Sequence, residues 1–230
     1  MRLVRRHGAL AVAVSLLSAA LTASAPAADA ASRSCTSSPY AYAGLIGRHK
    51  VSGVRASITA LTPPEVRDGH VAGWVGVGGV DAGPKGQAEW IQVGLSGFSG
   101  GESQLYYEIT QPGKPTSYTP VVEDVRPGES FTVAVIETAG RSNAWHVEVN
   151  GRAVSPDVLL PGSHGKWEAT ATSEAWNVGT GTCNAFSYRF DRVSAYHTAR
   201  WRPFGTASVL SDRGYGVQAR TNSSFVAKSL

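Results

Sequence analysis

Short stretches of apolar or alternating residues, each ended by a turn signal, constrain the fold of this chain more than any other feature of its sequence. Strands with period-two alternation and turn residues at their ends are typical of β-sandwiches and jelly rolls. The composition agrees, because 26 Gly and 12 Pro accompany 6 Trp and 8 Tyr, and aromatic residues pack well on a pleated sheet. The sequence therefore predicts an all-β sandwich or jelly roll and excludes helical bundles and coiled coils.

The predicted strands run through most of the chain after residue 50. They cover residues 51–60, 71–77, 88–95, 104–110, 131–138, 145–149, 167–176 and 185–196, with a closing strand near 215–226. Residues 36–47 are interpreted as a lead before the first strand. Because no internal repeat and no long linker divides the chain, we predict a single domain over residues 31–230.

The first thirty residues have the pattern of an export signal. A cluster of arginines precedes an apolar stretch, residues 9–23, that is too short to span a membrane comfortably. Small residues follow, and Ala28-Asp29-Ala30 fits a signal-peptidase site, so we predict cleavage after Ala30. The mature chain, residues 31–230, is expected to be secreted, to be free of the membrane and to be a monomer.

Cysteine content also fits an exported protein. The chain has two cysteines, Cys35 and Cys183, and an even number of cysteines in an oxidising compartment usually forms disulfides. We therefore predict one disulfide between Cys35 and Cys183, which would hold the N-terminal segment to the rest of the domain.

Charge and motif content exclude several kinds of partner. Cleavage after residue 30 lowers the formal net charge from +4 to +2, because three Arg and one Asp leave with the signal. The remaining basic residues are scattered, so we predict no nucleic-acid binding. We also predict no metal and no cofactor, because none of the histidines left after cleavage forms a close ligand pair. These histidines are His49, His70, His146, His164 and His197.

Strand parity predicts which side chains share a face, because alternate residues of a strand point to opposite sides. In the strand 88–95, the residues Ile91, Val93 and Leu95 form an aliphatic face, which leaves Trp90 and Gln92 on the other side. A cluster of aromatic and polar residues on a solvent face indicates a ligand surface. Alternatively, a second sheet and loops bury both faces and the Trp residues only fill space. Parity in the neighbouring strands adds Trp74, Tyr106, Glu108, Glu174 and Trp176 to the face of Gln92.

The order of five segments resembles the glutamic peptidases of the eqolisin family over about residues 70–195. The segments are 74–79 (Trp-Val-Gly-Val-Gly-Gly), 89–94 (Glu-Trp-Ile-Gln-Val-Gly), 106–109 (Tyr-Tyr-Glu-Ile), 125–133 (Val-Arg-Pro-Gly-Glu-Ser-Phe-Thr-Val) and 173–176 (Ser-Glu-Ala-Trp). This resemblance implies a concanavalin-like sandwich of two antiparallel sheets and a polypeptide substrate. Here one residue separates Glu174 from Trp176, whereas the family has Ala-Glu-Trp.

The resemblance also implies a catalytic pair. Gln92 matches the catalytic Gln of the family and Glu174 matches its Glu. Glu174 would activate water as a general base and later protonate the leaving amine, while Gln92 would orient the water and stabilise the oxyanion. Such chemistry requires an acidic medium, since the unperturbed pKa of Glu is about 4.3. The residues expected to contact substrate are Trp74, Trp90, Tyr106, Glu108 and Trp176.

Other functions stay open on the sequence. Glu108 and Glu174 would suit glycoside cleavage if their carboxyl groups lay about 5–9 Å apart. A catalytically inactive sandwich would instead bind carbohydrate or another extracellular ligand by stacking on its Trp residues.

Overall fold

β-Strands make up nearly all of the regular structure in the computed structural model, which describes residues 35–101, 103–179 and 181–230. The helical structure within these ranges is a single 3-10 turn, Pro84–Gly86, and no helix in them is long and apolar enough to cross a membrane. The predicted signal peptide, residues 1–30, lies outside the described residues. The strands are β1 (Tyr40–Lys50), β2 (Gly53–Ala60), β3 (His70–Gly79), β4 (Glu89–Gly97), β5 (Ser103–Thr110), β6 (Ser117–Val122), β7 (Ser130–Glu137), β8 (Ala144–Val149), β9 (Arg152–Ala153), β10 (Val158–Leu159), β11 (Glu168–Trp176), β12 (Ser187–His197), β13 (Arg200–Pro203), β14 (Ala207–Ser211), β15 (Tyr215–Thr221) and β16 (Ser224–Ser229).

The strands form two antiparallel sheets. The seven-stranded sheet has the order β14-β1-β11-β3-β4-β5-β6. The nine-stranded sheet has the order β10-β8-β7-β2-β12-β16-β15, and β9 and β13 pair with β8 and β12 beside this path. This arrangement confirms the predicted all-β, antiparallel two-sheet β-sandwich.

The hydrophobic core lies between the two sheets. Ile91, Val93 and Leu95 of β4 are fully buried and pack in one cluster with Ile58 and Phe190 of the nine-stranded sheet. Burial of each such side chain stabilises the fold by about 1.5–3 kcal/mol. The parity prediction for β4 is therefore confirmed, and the opposite side of the seven-stranded sheet is an outer face.

Two sequence-based assignments were wrong. The lead at residues 36–47 contains most of β1, which lies inside the seven-stranded sheet between β11 and β14. Its core-facing side chains include Ala41 and Ala43, and such small residues give no strong aliphatic pattern. The closing strand near 215–226 is a hairpin of β15 and β16, whose pairing shifts register between Ala219 and Thr221.

The predicted disulfide is present. Cys35 and Cys183 are bonded across a sequence separation of 148 residues, and the Thr36 N–H donates to the Thr182 carbonyl nearby at 3.2 Å. The bond joins the segment before β1 to the loop after β11. It therefore reinforces the contact between two strands that are far apart in sequence but adjacent in the sheet.

Candidate functional site

The outer face of the seven-stranded sheet carries a cavity of about 420 Å³. Its lining comes from β1, β3, β4, β5 and β11 and from the residue after β3. We call this cavity the groove. It is lined by Tyr40, Tyr42, His70, Trp74, Val77, Gly78, Gly79, Val80, Trp90, Gln92, Glu108 and Glu174.

Gln92 lies on the floor of the groove, where 7% of its surface is exposed. Its direct neighbours across the sheet are Gly76 on β3 and Glu108 on β5. Beyond Gly76, the next residue in the same row is Thr170 on β11. The Nε2 of Gln92 donates a hydrogen bond to the Tyr106 hydroxyl at 3.1 Å, which fixes the amide of Gln92.

A glycine is required next to Gln92. A Cβ on Gly76 would lie 2.7 Å from the carbonyl oxygen of Ile91 and 2.8 Å from the Cβ of Gln92. Both distances are shorter than van der Waals contact. Glycine thus allows the backbone of β3 to approach β4 closely and leaves the groove floor beside Gln92 free of side-chain atoms.

Glu174 lies at the other end of the groove and pairs with His70. On β11 it sits between Tyr42 of β1 and Ala72 of β3, and 8% of its surface is exposed. Its Oε1 is 3.2 Å from the Nε2 of His70. The sequence analysis missed the role of His70, although parity places it on the same face as Trp74, four residues further along β3.

Gln92 and Glu174 line the same groove from different rows of the sheet. Their Cα atoms are two strands apart across the sheet and four residues apart along the strands. At ordinary strand spacing and rise, this offset corresponds to roughly 16 Å between the two Cα atoms. Trp74 stands between them, because its direct partners are Thr172 on β11 and Gly94 on β4.

Glu108 is held near Gln92 in a mostly buried position. Its Oε1 accepts a hydrogen bond from the Trp90 Nε1 at 2.9 Å. Burial raises the pKa of the Glu108 carboxyl, and the negative charge of Glu174 raises this pKa further. The hydrogen bond from Trp90 and the nearby His70 act in the opposite direction and lower it. Glu108 therefore keeps its proton to a higher pH than a free Glu side chain.

Aromatic rings cross the outer face from the Glu174 end of the groove to Tyr106, the hydrogen-bond partner of Gln92. Successive ring centroids lie between 4.8 and 6.3 Å apart, and we call this series the aromatic arc. Its members in order are Tyr42, Tyr40, Trp176, His70, Phe98, Tyr118 and Tyr106. The aromatic arc thus joins the neighbourhood of Glu174 to that of Gln92.

The predicted substrate-contacting residues occupy different places around the groove. Trp74, Trp90 and Glu108 line it directly. Tyr106 is only 2% exposed and lines a smaller adjoining cavity of about 140 Å³. Trp176 belongs to the aromatic arc and packs against His70 at a centroid distance of 5.3 Å. Within the described residues, no three His, Cys, Asp or Glu side chains lie together in a way that could hold a metal ion.

Comparison with known proteins identifies the fold. No protein-family model and no curated protein sequence matches the chain. A crystal structure of scytalidoglutamic peptidase with a peptide-based transition-state analog is similar, with a TM-score of 0.61 and 15% identity over 86% of this chain and 100% of that one. SCP-B, a member of the eqolisin family of peptidases in complex with the tripeptide Ala-Ile-His, gives a TM-score of 0.56 and 15% identity with the same coverage. The chain thus has the sandwich fold of the eqolisin glutamic peptidases.

Proposed function

We propose that the protein is an exported hydrolase that binds an extended polypeptide in the groove and cleaves it in an acidic medium. One observation carries this proposal: Gln92, Glu108 and Glu174 line a single cavity on the outer face of an eqolisin-like sandwich. Solved structures of that fold hold a peptide-based transition-state analog or a tripeptide. A groove that crosses neighbouring strands also suits an extended chain.

The chemistry needs one carboxylate that is ionised before attack and can give a proton afterwards. An ionised carboxylate takes a proton from water, and the Gln92 amide polarises the reacting groups. The rate falls when the pH drops below the pKa of the carboxyl, because the base is then protonated. Burial raises the pKa of Glu108. If the reaction depends on Glu108, the acidic limb of its pH–rate profile therefore lies at a higher pH than an exposed Glu would give.

The sequence prediction assigns the base to Glu174, and two features support a role in the groove. Its carboxylate lines the cavity and has a defined partner in His70. Replacement of the carboxylate tests this assignment.

A second candidate function is binding without hydrolysis, with a glycan or another extracellular ligand in the groove. The aromatic arc and the position of Trp74 between Gln92 and Glu174 favour this candidate. Aromatic rings stack on the apolar faces of sugars and on side chains without any need for a reactive pair.

Cleavage of an unfolded protein substrate between about pH 2 and 7, a range that brackets the unperturbed pKa of Glu, tests both candidates. The wild type is compared with Glu174→Gln and Glu108→Gln. Glu148→Gln is the matched control, because Glu148 also pairs with a histidine, His146, but lies on β8 of the other sheet. Acid-dependent cleavage that the control retains supports the hydrolase. A folded wild type that binds peptide or glycan and never cleaves rejects the hydrolase in favour of the second candidate.

A further inference from the structure

We propose that a second cavity, at the opposite end of β1 from the groove, binds a small organic carboxylate that carries an apolar group. This cavity has a volume of about 200 Å³, and we call it the basic cavity. Its lining comes from the end of β1, from β12 and β13 and from the residues that link β13 to β14. None of these residues lines the groove, so the inference does not depend on the proposed hydrolase function.

The strand pairing brings three basic side chains to the basic cavity. His49 lies near the end of β1, and His197 is the last residue of β12. Arg202 lies on β13 and pairs with Ala195 of β12. Because alternate residues of a strand share a face, Ala195, His197 and Arg202 stand on one side of the β12–β13 hairpin. The centroids of the His49 and His197 rings are 6.1 Å apart, so the three basic side chains meet at one cavity although they come from three strands.

The nitrogen atoms of these side chains are available to a ligand. The Nδ1 of His197 lies 3.0 Å from the Lys50 carbonyl oxygen. Because a carbonyl oxygen only accepts, Nδ1 carries the proton of the neutral ring, and Nε2 becomes a second donor when the ring is protonated. Within the described part of the chain, neither the His49 ring nor the Arg202 guanidinium has a hydrogen-bond or ion-pair partner. A ligand in the basic cavity would therefore meet donors that no protein acceptor occupies.

The carboxylates of the adjoining elements are already paired. They are Glu168 at the start of β11 and Glu137 at the end of β7. Glu168 lies 3.0 Å from the Lys50 Nζ, and Glu137 lies 2.8 Å from the His164 Nδ1. No acidic side chain of the described residues lines the basic cavity. The positive charge of the cavity is therefore not neutralised from within the protein.

This charge favours an anionic ligand, and a carboxylate in particular. Arg48 precedes His49 in the chain and Arg200 pairs with His197, so further positive charge lies beside the cavity. The planar guanidinium of Arg202 can hold both oxygens of a carboxylate. Two imidazolium rings close together repel each other, and a bound carboxylate offsets this repulsion. We therefore expect the affinity for a carboxylate to rise as the histidines gain protons.

The apolar wall of the basic cavity selects the rest of the ligand. Val51 and Phe204 line it and are buried. A volume of about 200 Å³ exceeds the ~150 Å³ of a protein cavity that takes up benzene, so a ring-sized apolar group fits. An inorganic phosphate would leave this wall uncovered. Two sources supply a carboxylate beside an apolar group: a free aromatic acid, and the C-terminal residue of a peptide.

Isothermal titration calorimetry at about pH 5 and 8, the range over which histidine ordinarily changes charge, tests the site. Benzoate represents a free acid and N-acetylphenylalanine represents a peptide C-terminus. The control ligands are N-acetylphenylalanine amide, which lacks the carboxylate, and inorganic phosphate, which lacks the ring. We expect carboxylate binding at pH 5 that weakens by about tenfold or more at pH 8, as loss of a charged hydrogen-bond donor does. Binding of benzoate alone supports a free acid as the ligand, whereas binding of N-acetylphenylalanine supports a peptide C-terminus.

Three variants locate the binding. Arg202→Gln removes the guanidinium from an exposed position, and we expect it to weaken carboxylate binding by about tenfold or more. His49→Gln removes one imidazole and should reduce the dependence on pH. Arg220→Gln is the matched control, because Arg220 is an exposed arginine on β15 of the same sheet and does not line the basic cavity.

Three results overturn the inference. They are no binding of either carboxylate to the folded wild type, equal affinity of wild type and Arg202→Gln, and equal affinity for N-acetylphenylalanine and its amide. The last of these would show that the carboxylate is not recognised. None of the three bears on peptide cleavage, which is measured separately at the groove.

Discussion

The Nε2 of His70 lies 3.2 Å from the Oε1 of Glu174, and the imidazole packs on Trp176 with a centroid distance of 5.3 Å. This contact joins β3 to β11 at one end of the groove and gives the nearly buried carboxylate a partner. Because the aromatic arc passes through His70, the same residue links the acidic and aromatic parts of the site.

The His70 and Glu174 side chains should be energetically coupled. We expect a coupling free energy of about 0.5–1.5 kcal/mol, the usual net value of an intramolecular hydrogen bond. Urea denaturation of His70→Ala, Glu174→Gln and the double variant measures it as the departure from additivity. Additive effects of the two single changes would mean that the pair contributes nothing to stability.

Replacing Gly76 by Ala should disturb the packing of β3 against β4 beneath the groove. The new methyl group would meet the Ile91 carbonyl and the Cβ of Gln92 at under 3 Å, so β3 and β4 must separate or Gln92 must turn. Such overpacking costs about 1–3 kcal/mol, and we expect peptide binding and cleavage to fall as well. Gly79→Ala is the matched control for stability, because no described residue lies within 4 Å of a Cβ at Gly79. Equal behaviour of the two variants would refute the close approach of the strands.

Glu89 should make stability depend on pH. Its side chain is fully buried, its Oε2 accepts the Gly162 N–H at 3.0 Å, and its Oε1 has no hydrogen-bond partner among the residues that the structure describes. Burial raises the pKa of this carboxyl above that of the unfolded chain, although the Gly162 N–H and Lys166 act against the rise.

The sign of the effect follows from proton binding. Between the unfolded and the folded pKa of Glu89, the native state binds more protons, so the free energy of unfolding falls as the pH rises through that window. Glu89→Gln removes this group. The free energy of unfolding of the variant, relative to that of wild type, should therefore increase from pH 4 to pH 8. Urea unfolding at pH 4, 6 and 8 checks this, and a constant difference between the two proteins would contradict it.

Removing the disulfide should destabilise the domain without changing its fold. The Cys35–Cys183 bond closes a loop of 148 residues in the unfolded chain, and loss of a native disulfide typically costs about 2–5 kcal/mol. Thermal and urea unfolding of Cys35→Ala/Cys183→Ala against the oxidised wild type measures the loss. A double variant as stable as wild type would show that hydrogen bonds such as that from Thr36 to Thr182 hold this end of β1 by themselves.

Strand parity predicted which faces the residues occupy, but it did not predict which residues stand opposite each other. Gln92 was placed on the outer face from the sequence because Ile91, Val93 and Leu95 alternate with it. Its relation to Glu174 depends on how β11 pairs with β3, and this pairing joins segments that are nearly a hundred residues apart. Such a register is set by long-range packing and cannot be read from local alternation.

The sequence analysis did not predict β1 as a strand, and the reason is the type of residue that β1 buries. Sequence analysis detected strands by their large aliphatic residues, whereas β1 buries Ala41 and Ala43 and points Tyr40 and Tyr42 outward. Gly44 is needed for the same close packing, because a Cβ there would lie 2.4 Å from the side chain of Thr172. Alternation of small and aromatic residues was therefore the signal that would have revealed this strand.

The position of β1 determines when the sheet can be completed. Its two neighbours are β11, Glu168–Trp176, and β14, Ala207–Ser211, so β1 can complete its pairing only after both of these later segments have been synthesised. A nascent chain cannot close this sheet while it is being made, and pairing of such distant segments is slow. The seven-stranded sheet is therefore completed only after both partners of β1 have been synthesised.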